Sequence, residues 1–105
     1  MADYGIVLVT ASSQDEAEAI AAVLLQEKLA ACISTTAIQS LYVWEGEVNN
    51  DQEWQLMIKT DLQLFSQLEA KIKAVHSYDV PEIIALPIVN GSKAYLDWIT
   101  ESTQS

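Results

Sequence analysis

From Gly5 to Ala11 the chain is almost continuously apolar, with Ile6, Val7, Leu8 and Val9 at its centre, which predicts a buried strand. Ser12 and Ser13 interrupt it. Ser13 followed three residues later by Glu16 has the spacing of a capping box. Beyond it Ala17, Ile20, Ala21, Leu24 and Lys28 fall on one helical stripe, so a helix is expected to run to about Leu29. From Ala31 to Trp44 the helical period disappears and β-branched and aromatic residues dominate. Their alternation slips at Thr36-Ala37-Ile38, which predicts a bulge or bend. From Gln52 to Lys59 alternation is clean, with Trp54, Leu56 and Ile58 on one face, and Asn49-Asn50-Asp51 supplies turn chemistry for a long hairpin.

Thr60 and Gln63 repeat the capping-box spacing ahead of a second helix whose buried stripe is Phe65, Leu68, Ile72 and Val75 and which ends near His76. Glu82 to Val89 reads as a further strand, placed at a sheet edge by Pro87. Ser92 is expected to cap a short last helix with Tyr95, Leu96, Trp98 and Ile99 on its apolar side, and residues 100–105 are expected to fray. The order βαββαβ plus a short helix is an α+β, ferredoxin-like plan: a four-stranded antiparallel sheet with two helices on one face. Residues 1–105 read as a single domain.

Strand length adds an expectation about assembly. Fourteen residues from Ala31 to Trp44 at ~3.3 Å each reach roughly 46 Å, longer than the ~34 Å diameter of a compact domain of this size. The hairpin is therefore expected to overhang its domain, carrying Tyr42, Trp44 and Trp54 to where neighbouring subunits cover them.

Charge narrows the partners. Fifteen acidic residues face five lysines and no arginine, for a formal net charge of −10, so nucleic acid is not an expected partner. Three glycines form no phosphate cradle, and without arginine there is no bidentate fork. No apolar run approaches the ~20 residues of a membrane span, and the amino terminus lacks a basic region, so a soluble, cytoplasmic protein is expected. The single cysteine, Cys32, cannot pair within the chain, which suits a reducing compartment.

Several segments together carry a resemblance. Val7-Leu8-Val9-Thr10-Ala11, Glu27-Lys28-Leu29-Ala30-Ala31-Cys32, Leu41-Tyr42-Val43-Trp44-Glu45-Gly46, Ile58-Lys59-Thr60, the segment from Pro81 to Ile88 and Tyr95-Leu96-Asp97-Trp98 occur in one order. Over nearly its whole length the chain resembles the divalent-cation tolerance family CutA. The resemblance implies a ferredoxin-like subunit in a three-fold homotrimer, PII-like in architecture, that associates with copper and other divalent ions. Val9 stands where some members carry a second cysteine, and Ser12 where a proline is usual.

Chemistry is densest in His76-Ser77-Tyr78-Asp79-Val80-Pro81-Glu82, where the helical pattern yields to the strand. His76 is a candidate metal ligand, and the resemblance places a metal-associated histidine here; it is equally a residue suited to a helix C-terminus. Asp79 and Glu82 are candidate oxygen ligands, or supports for His76 and Tyr78. Cys32 is a candidate ligand for a soft ion such as Cu(I), or a buried structural cysteine. Lys59, Tyr78 and Glu82 are the expected polar lining of any small-molecule cleft between subunits. No nucleophile elbow accompanies the cysteine or histidine, so an enzyme is not expected. The leading expectation is a cytoplasmic homotrimer that binds or responds to divalent metal, copper first. The alternative is a PII-like module binding a small ligand or protein at its clefts.

Overall fold

The computed structural model describes residues 2–104. Its elements are β1 (Tyr4–Ala11), α1 (Gln14–Gln26), β2 (Cys32–Trp44), β3 (Glu47–Asp61), a 3-10 turn (Leu62–Leu64), α2 (Phe65–Val75), β4 (Ile83–Pro87) and α3 (Lys93–Thr103). The four strands pair antiparallel in the order β2-β3-β1-β4. This is the expected ferredoxin-like sheet, with Pro87 closing an edge strand where its missing N–H costs no ladder bond.

Register explains the core. Val7 lies opposite Ile58, Val9 opposite Leu56 and Ala11 opposite Trp54, so these side chains share one face. Ile20 and Leu24 of α1 and Leu68 and Ile72 of α2 complete the same buried cluster. Val75, expected in that stripe, is 44% exposed because the helix is in its last turn and leaving the sheet.

Several boundaries differ from the sequence reading. Helix α1 stops at Gln26 rather than near Leu29, because Lys28 adopts the left-handed conformation (φ 58°) and the N–H groups of Glu27, Lys28 and Leu29 fold back on Val23, Leu25 and Leu24. The expected bulge at Thr36-Ala37-Ile38 is absent: β2 pairs with β3 without a skip from Cys32↔Lys59 to Trp44↔Glu47. Alternation is lost in the sequence because this edge strand leaves the core and no buried face dictates its pattern. The hairpin turns at Glu45-Gly46, both with positive φ (53° and 80°), as a tight two-residue connection demands. Asn49, Asn50 and Asp51 instead sit in the ladder opposite Tyr42, Leu41 and Ser40.

Helix caps show the same kind of exchange. Asp61, not Thr60, caps the 3-10 turn by accepting from the Gln63 N–H at 3.0 Å. Thr60 is fully buried and donates its hydroxyl to the Leu29 carbonyl at 2.7 Å, fastening the α1–β2 connection to β3. Thr60→Val keeps the shape but strands that carbonyl, and is expected to cost about 1–2 kcal/mol in chemical denaturation. Ser92 precedes α3 without a side-chain capping bond. The tail is helical to Thr103, whose hydroxyl donates to the Ile99 carbonyl, so the fraying expected from residue 100 does not occur over the described part; Ser105 lies outside the described residues. The last strand is confined to Ile83–Pro87, shorter than the expected span from Glu82 to Val89.

The hairpin does overhang. The molecule measures 44 × 25 × 21 Å, and the distal arm leaves Leu41 and Val43 each 70% and Val48 74% exposed. Trp54 is not part of that overhang: it is half-buried against the core cluster, opposite Ala11.

Candidate functional site

Strand β1 ends at Ala11 opposite Trp54, so beyond that point β3 has lost its β1 neighbour. The segment leaving α2 reaches this place. A cleft of about 730 Å³ lies there, lined on one side by β2 and β3, including Tyr42, Trp44 and Glu53, and on the other by Tyr78, Asp79 and Glu82.

His76 organises the segment rather than opening into the cleft as a free ligand. Its side chain is 0% exposed. Nε2 lies 2.7 Å from the Thr10 carbonyl, which can only accept, so Nε2 carries the proton; Nδ1 then accepts the Tyr78 N–H at 3.1 Å. Both ring nitrogens are engaged, and the imidazole also packs on the Tyr78 ring with centroids 4.8 Å apart.

Glu16 holds the neighbouring residue. As the third residue of α1 its N–H donates to Ser13 Oγ, the expected cap. Its carboxylate does not return to the Ser13 N–H: Oε1 accepts from the N–H and hydroxyl of Ser12, and Oε2 accepts from the Ser77 N–H at 2.8 Å. Burial acts to raise this carboxyl, but the bonds from Ser77 and Ser12 together outweigh it and bring the pKa to about 2.

Glu53 is the residue that sequence reasoning missed. It is 8% exposed on β3, and its Oε2 accepts the Tyr78 hydroxyl at 2.8 Å. No hydrogen bond reaches its Oε1 among the described residues, and no buried side-chain polar atom there is left unsatisfied, so that oxygen is accessible at the cleft. Burial, then the bond to Glu53, hold the Tyr78 phenol far above its ordinary range. Burial and the Glu53 charge likewise raise Glu82. A lone glutamate in an alternating strand reads as surface; the available signal was that Glu53 lies beside Trp54, just past the end of the β1 pairing.

The other predicted residues separate. Glu82, Asp79 and Tyr78 line the cleft, but Lys59 does not: it lies six positions farther along β3 than Glu53, ~20 Å away, and no ion pair joins it to Glu82 among the described residues. Cys32 sits opposite Lys59, whereas Thr10, which anchors His76, sits opposite Gln55. This places the cysteine four positions along and two strands across, ~13 Å by ~10 Å. Its neighbour is Tyr95 of α3, whose phenol is raised first by burial and then by Cys32. No cluster of three or more His, Cys, Asp or Glu side chains with metal-holding geometry occurs among the described residues. Tyr42 donates to Asp51 across the hairpin, on the same face as Glu53.

Residues 5–102 match the family described as CutA1 divalent ion tolerance protein. The chain belongs to the CutA family. It is 46% identical over 99 residues to the divalent-cation tolerance protein CutA of Thermus thermophilus, covering 93% of this chain and 96% of that one. It is 45% identical to the chloroplastic CutA of Arabidopsis thaliana, covering 95% of this chain but only 56% of that longer relative. Among solved structures, the Archaeoglobus fulgidus CutA superposes with a TM-score of 0.95 at 40% identity, over 96% of this chain and 99% of that one. The same protein is described as periplasmic, and the Arabidopsis relative is chloroplastic. The cytoplasmic location expected from the sequence is therefore corrected: CutA proteins are not confined to that compartment. No helix among the described residues is long and apolar enough to cross a membrane.

Proposed function

We propose that this CutA chain contributes to metal tolerance as a non-enzymatic homotrimer that binds divalent cations at the cleft between its hairpin and the segment 76–82. The observation that carries this reading is Glu53: a carboxylate 8% exposed, fixed through one oxygen by Tyr78, with the other oxygen accessible at a cleft that Asp79 and Glu82 also line. Hard oxygen donors suit divalent ions, and a neighbouring subunit supplies the remaining ligands. Copper(II) comes first because it binds a given nitrogen and oxygen donor set more tightly than the other first-row divalent ions. His76 joins only by giving up the Tyr78 N–H at Nδ1, and Cys32 stands apart.

Calorimetric titration with copper(II) and manganese(II) tests the site. Glu53→Gln is expected to weaken binding about tenfold, the scale of a lost charged contact, while Cys32→Ser leaves it unchanged. Unchanged binding in Glu53→Gln overturns the proposal. A site centred on the imidazole gives the opposite pattern, with His76→Gln abolishing binding and Glu53→Gln retaining it.

Trimerisation is supported by the overhanging arm, which exposes Leu41, Val43 and Val48 on one face of the hairpin and Tyr42 and Trp44 on the other. Sedimentation equilibrium is expected to give three times the 11.6 kDa chain mass. A monomer at micromolar concentration overturns this.

A further inference from the structure

The connection from β4 to α3, residues 88–92, lies at the end of the sheet away from the overhanging hairpin. Pro87 pairs with Gly5 at the start of β1, whereas the arm that neighbouring subunits cover begins past Ala11, six positions and ~20 Å along the same strand. Asn90, Gly91 and Ser92 are all exposed there. The chain has three asparagines, Asn49, Asn50 and Asn90, and only Asn90 is followed by glycine. The Gly91 N–H donates to the Asn90 side-chain oxygen, Oδ1, at 3.0 Å, and to no main-chain carbonyl among the described residues. The N–H groups on either side are committed to the fold, that of Ile88 to the Tyr4 carbonyl and that of Leu96 to the Ser92 carbonyl.

We propose that Asn90 is a site of spontaneous covalent modification, losing ammonia through a cyclic succinimide closed by the Gly91 nitrogen. The direction of the N–H carries the argument. When it gives its proton to water or hydroxide, the lone pair left behind points where the hydrogen did, at the carboxamide, from a nitrogen already 3.0 Å from Oδ1. The new bond joins the Gly91 nitrogen to Asn90 Cγ, the Cγ–Nδ2 bond breaks, and Nδ2 takes back a proton and leaves as ammonia. A water molecule then opens the ring, at Cγ to give aspartate or at the main-chain carbonyl to give isoaspartate, in which the chain runs through Cβ and gains a methylene. No oxidant or reductant takes part. Gly91 leaves the approach clear, since it carries no side chain beside the attacking nitrogen. Asn49 and Asn50 lack this arrangement: both lie in the β2–β3 ladder, with carboxamides engaged by the Glu47 carbonyl and by Gln39. Either product adds a negative charge to a chain already at −10, just ahead of α3. Isoaspartate also lengthens a connection fixed at both ends, by Ile88 on Tyr4 and by the buried Ile99 of α3.

The full chain in its native assembly is held at physiological pH and temperature for several weeks and digested with trypsin, and the peptide 74–93 is followed by mass spectrometry. A gain of one dalton at residue 90 is expected, with isoaspartate exceeding aspartate by electron-transfer fragmentation, while Asn49 and Asn50 keep their amides. Gly91→Ala is expected to slow the gain by about tenfold or more, because a methyl group crowds the attacking nitrogen and displaces it from the carboxamide. The cost of that substitution to the fold is a contact with the flexible end of Leu96, whose Cδ2 lies 3.1 Å from an added Cβ. Asn90→Gln, at an exposed position, keeps an amide but needs a larger ring and is expected to show no gain, so the proposal stays testable should Gly91→Ala misfold. Circular dichroism and sedimentation of the aged samples establish that fold and assembly persist. An amide retained at residue 90 in the native assembly, modification only after unfolding in urea, aspartate without isoaspartate, or an undiminished rate in a folded Gly91→Ala chain overturns the proposal.

Discussion

Gly5→Val is expected to destabilise the fold by about 3 kcal/mol, the upper part of the range for overpacking a filled core. Gly5 lies in β1 between Thr60 of β3 and Pro87 of β4, on the face that carries Val7 and Val9. A Cβ there meets three atoms of the Leu62 side chain, Cγ, Cδ1 and Cδ2, all well inside van der Waals contact. The clash reaches the branch point of the leucine rather than its tip, so a simple rotation does not relieve it. Leu62 is also tethered, because it opens the 3-10 turn and its N–H donates to the Asp3 carbonyl at 2.6 Å. Chemical denaturation is the measurement, with a lower midpoint and an unchanged slope marking a change in native-state stability. The double variant Gly5→Val with Leu62→Ala isolates the cause. If the clash is responsible, the second substitution recovers about 1–2 kcal/mol instead of adding its own loss. A purely additive result rejects the mechanism.

Gly5 also shows what the sequence disclosed and what it withheld. The run from Ile6 to Val9 reads as a strand because it is short, rich in β-branched residues and bounded by Gly5 and by Ser12-Ser13, and its Val7 and Val9 are buried. It does not reveal that the residue before it must lack a side chain, because Leu62 arrives from the far end of β3. The helices α1 and α2 were legible for a related reason: Ile20, Leu24, Leu68 and Ile72 repeat at helical spacing and all enter the core. Periodicity reports burial, and it fails where burial fails. From Ser34 to Ala37 every residue of β2 is exposed and no buried face dictates the pattern, so the slip at Thr36-Ala37-Ile38 resembles a bulge in a strand that has none. The same loss of constraint let Asn49-Asn50-Asp51 compete with Glu45-Gly46 as the turn, although only the latter pair has positive φ at both positions.

The candidate site was legible as a segment and not as a network. His76, Tyr78, Asp79 and Glu82 stand close in the sequence, and the three that line the cleft do so together. The partners that give them roles are distant in the chain: Glu16 lies 61 residues from Ser77, Thr10 lies 66 from His76, and Glu53 lies 25 from Tyr78. Spacing rules capture a capping box within one turn. They cannot assign the second oxygen of Glu16, which the fold uses to hold another loop.

That second oxygen leads to the other large effect. Glu16→Gln is expected to cost about 2 kcal/mol near neutral pH. The amide keeps the size of the carboxylate but offers one acceptor oxygen where two are required, and it turns an N–H donor toward Ser12 or Ser77, which are donors themselves. The sign of the pH dependence follows from the folded pKa of about 2 against an ordinary value of 4.5. A lowered carboxyl stabilises the folded state fully above pH 4.5, and that contribution disappears as pH falls toward 2. Partial exposure screens the full shift, so roughly 1–2 kcal/mol of it is expected to appear in stability. Denaturation of the native chain and of Glu16→Gln should therefore converge between pH 4.5 and 2, with the gap widest near neutrality. A constant gap across that interval would falsify the assignment of the stabilisation to the ionised carboxylate. The consequence reaches the cleft, because Ser77 joins His76 to Tyr78 and Tyr78 holds Glu53. Releasing Ser77 loosens the wall that fixes the buried carboxylate, so Glu16→Gln should weaken copper(II) binding several-fold at neutral pH although Glu16 itself does not line the cleft.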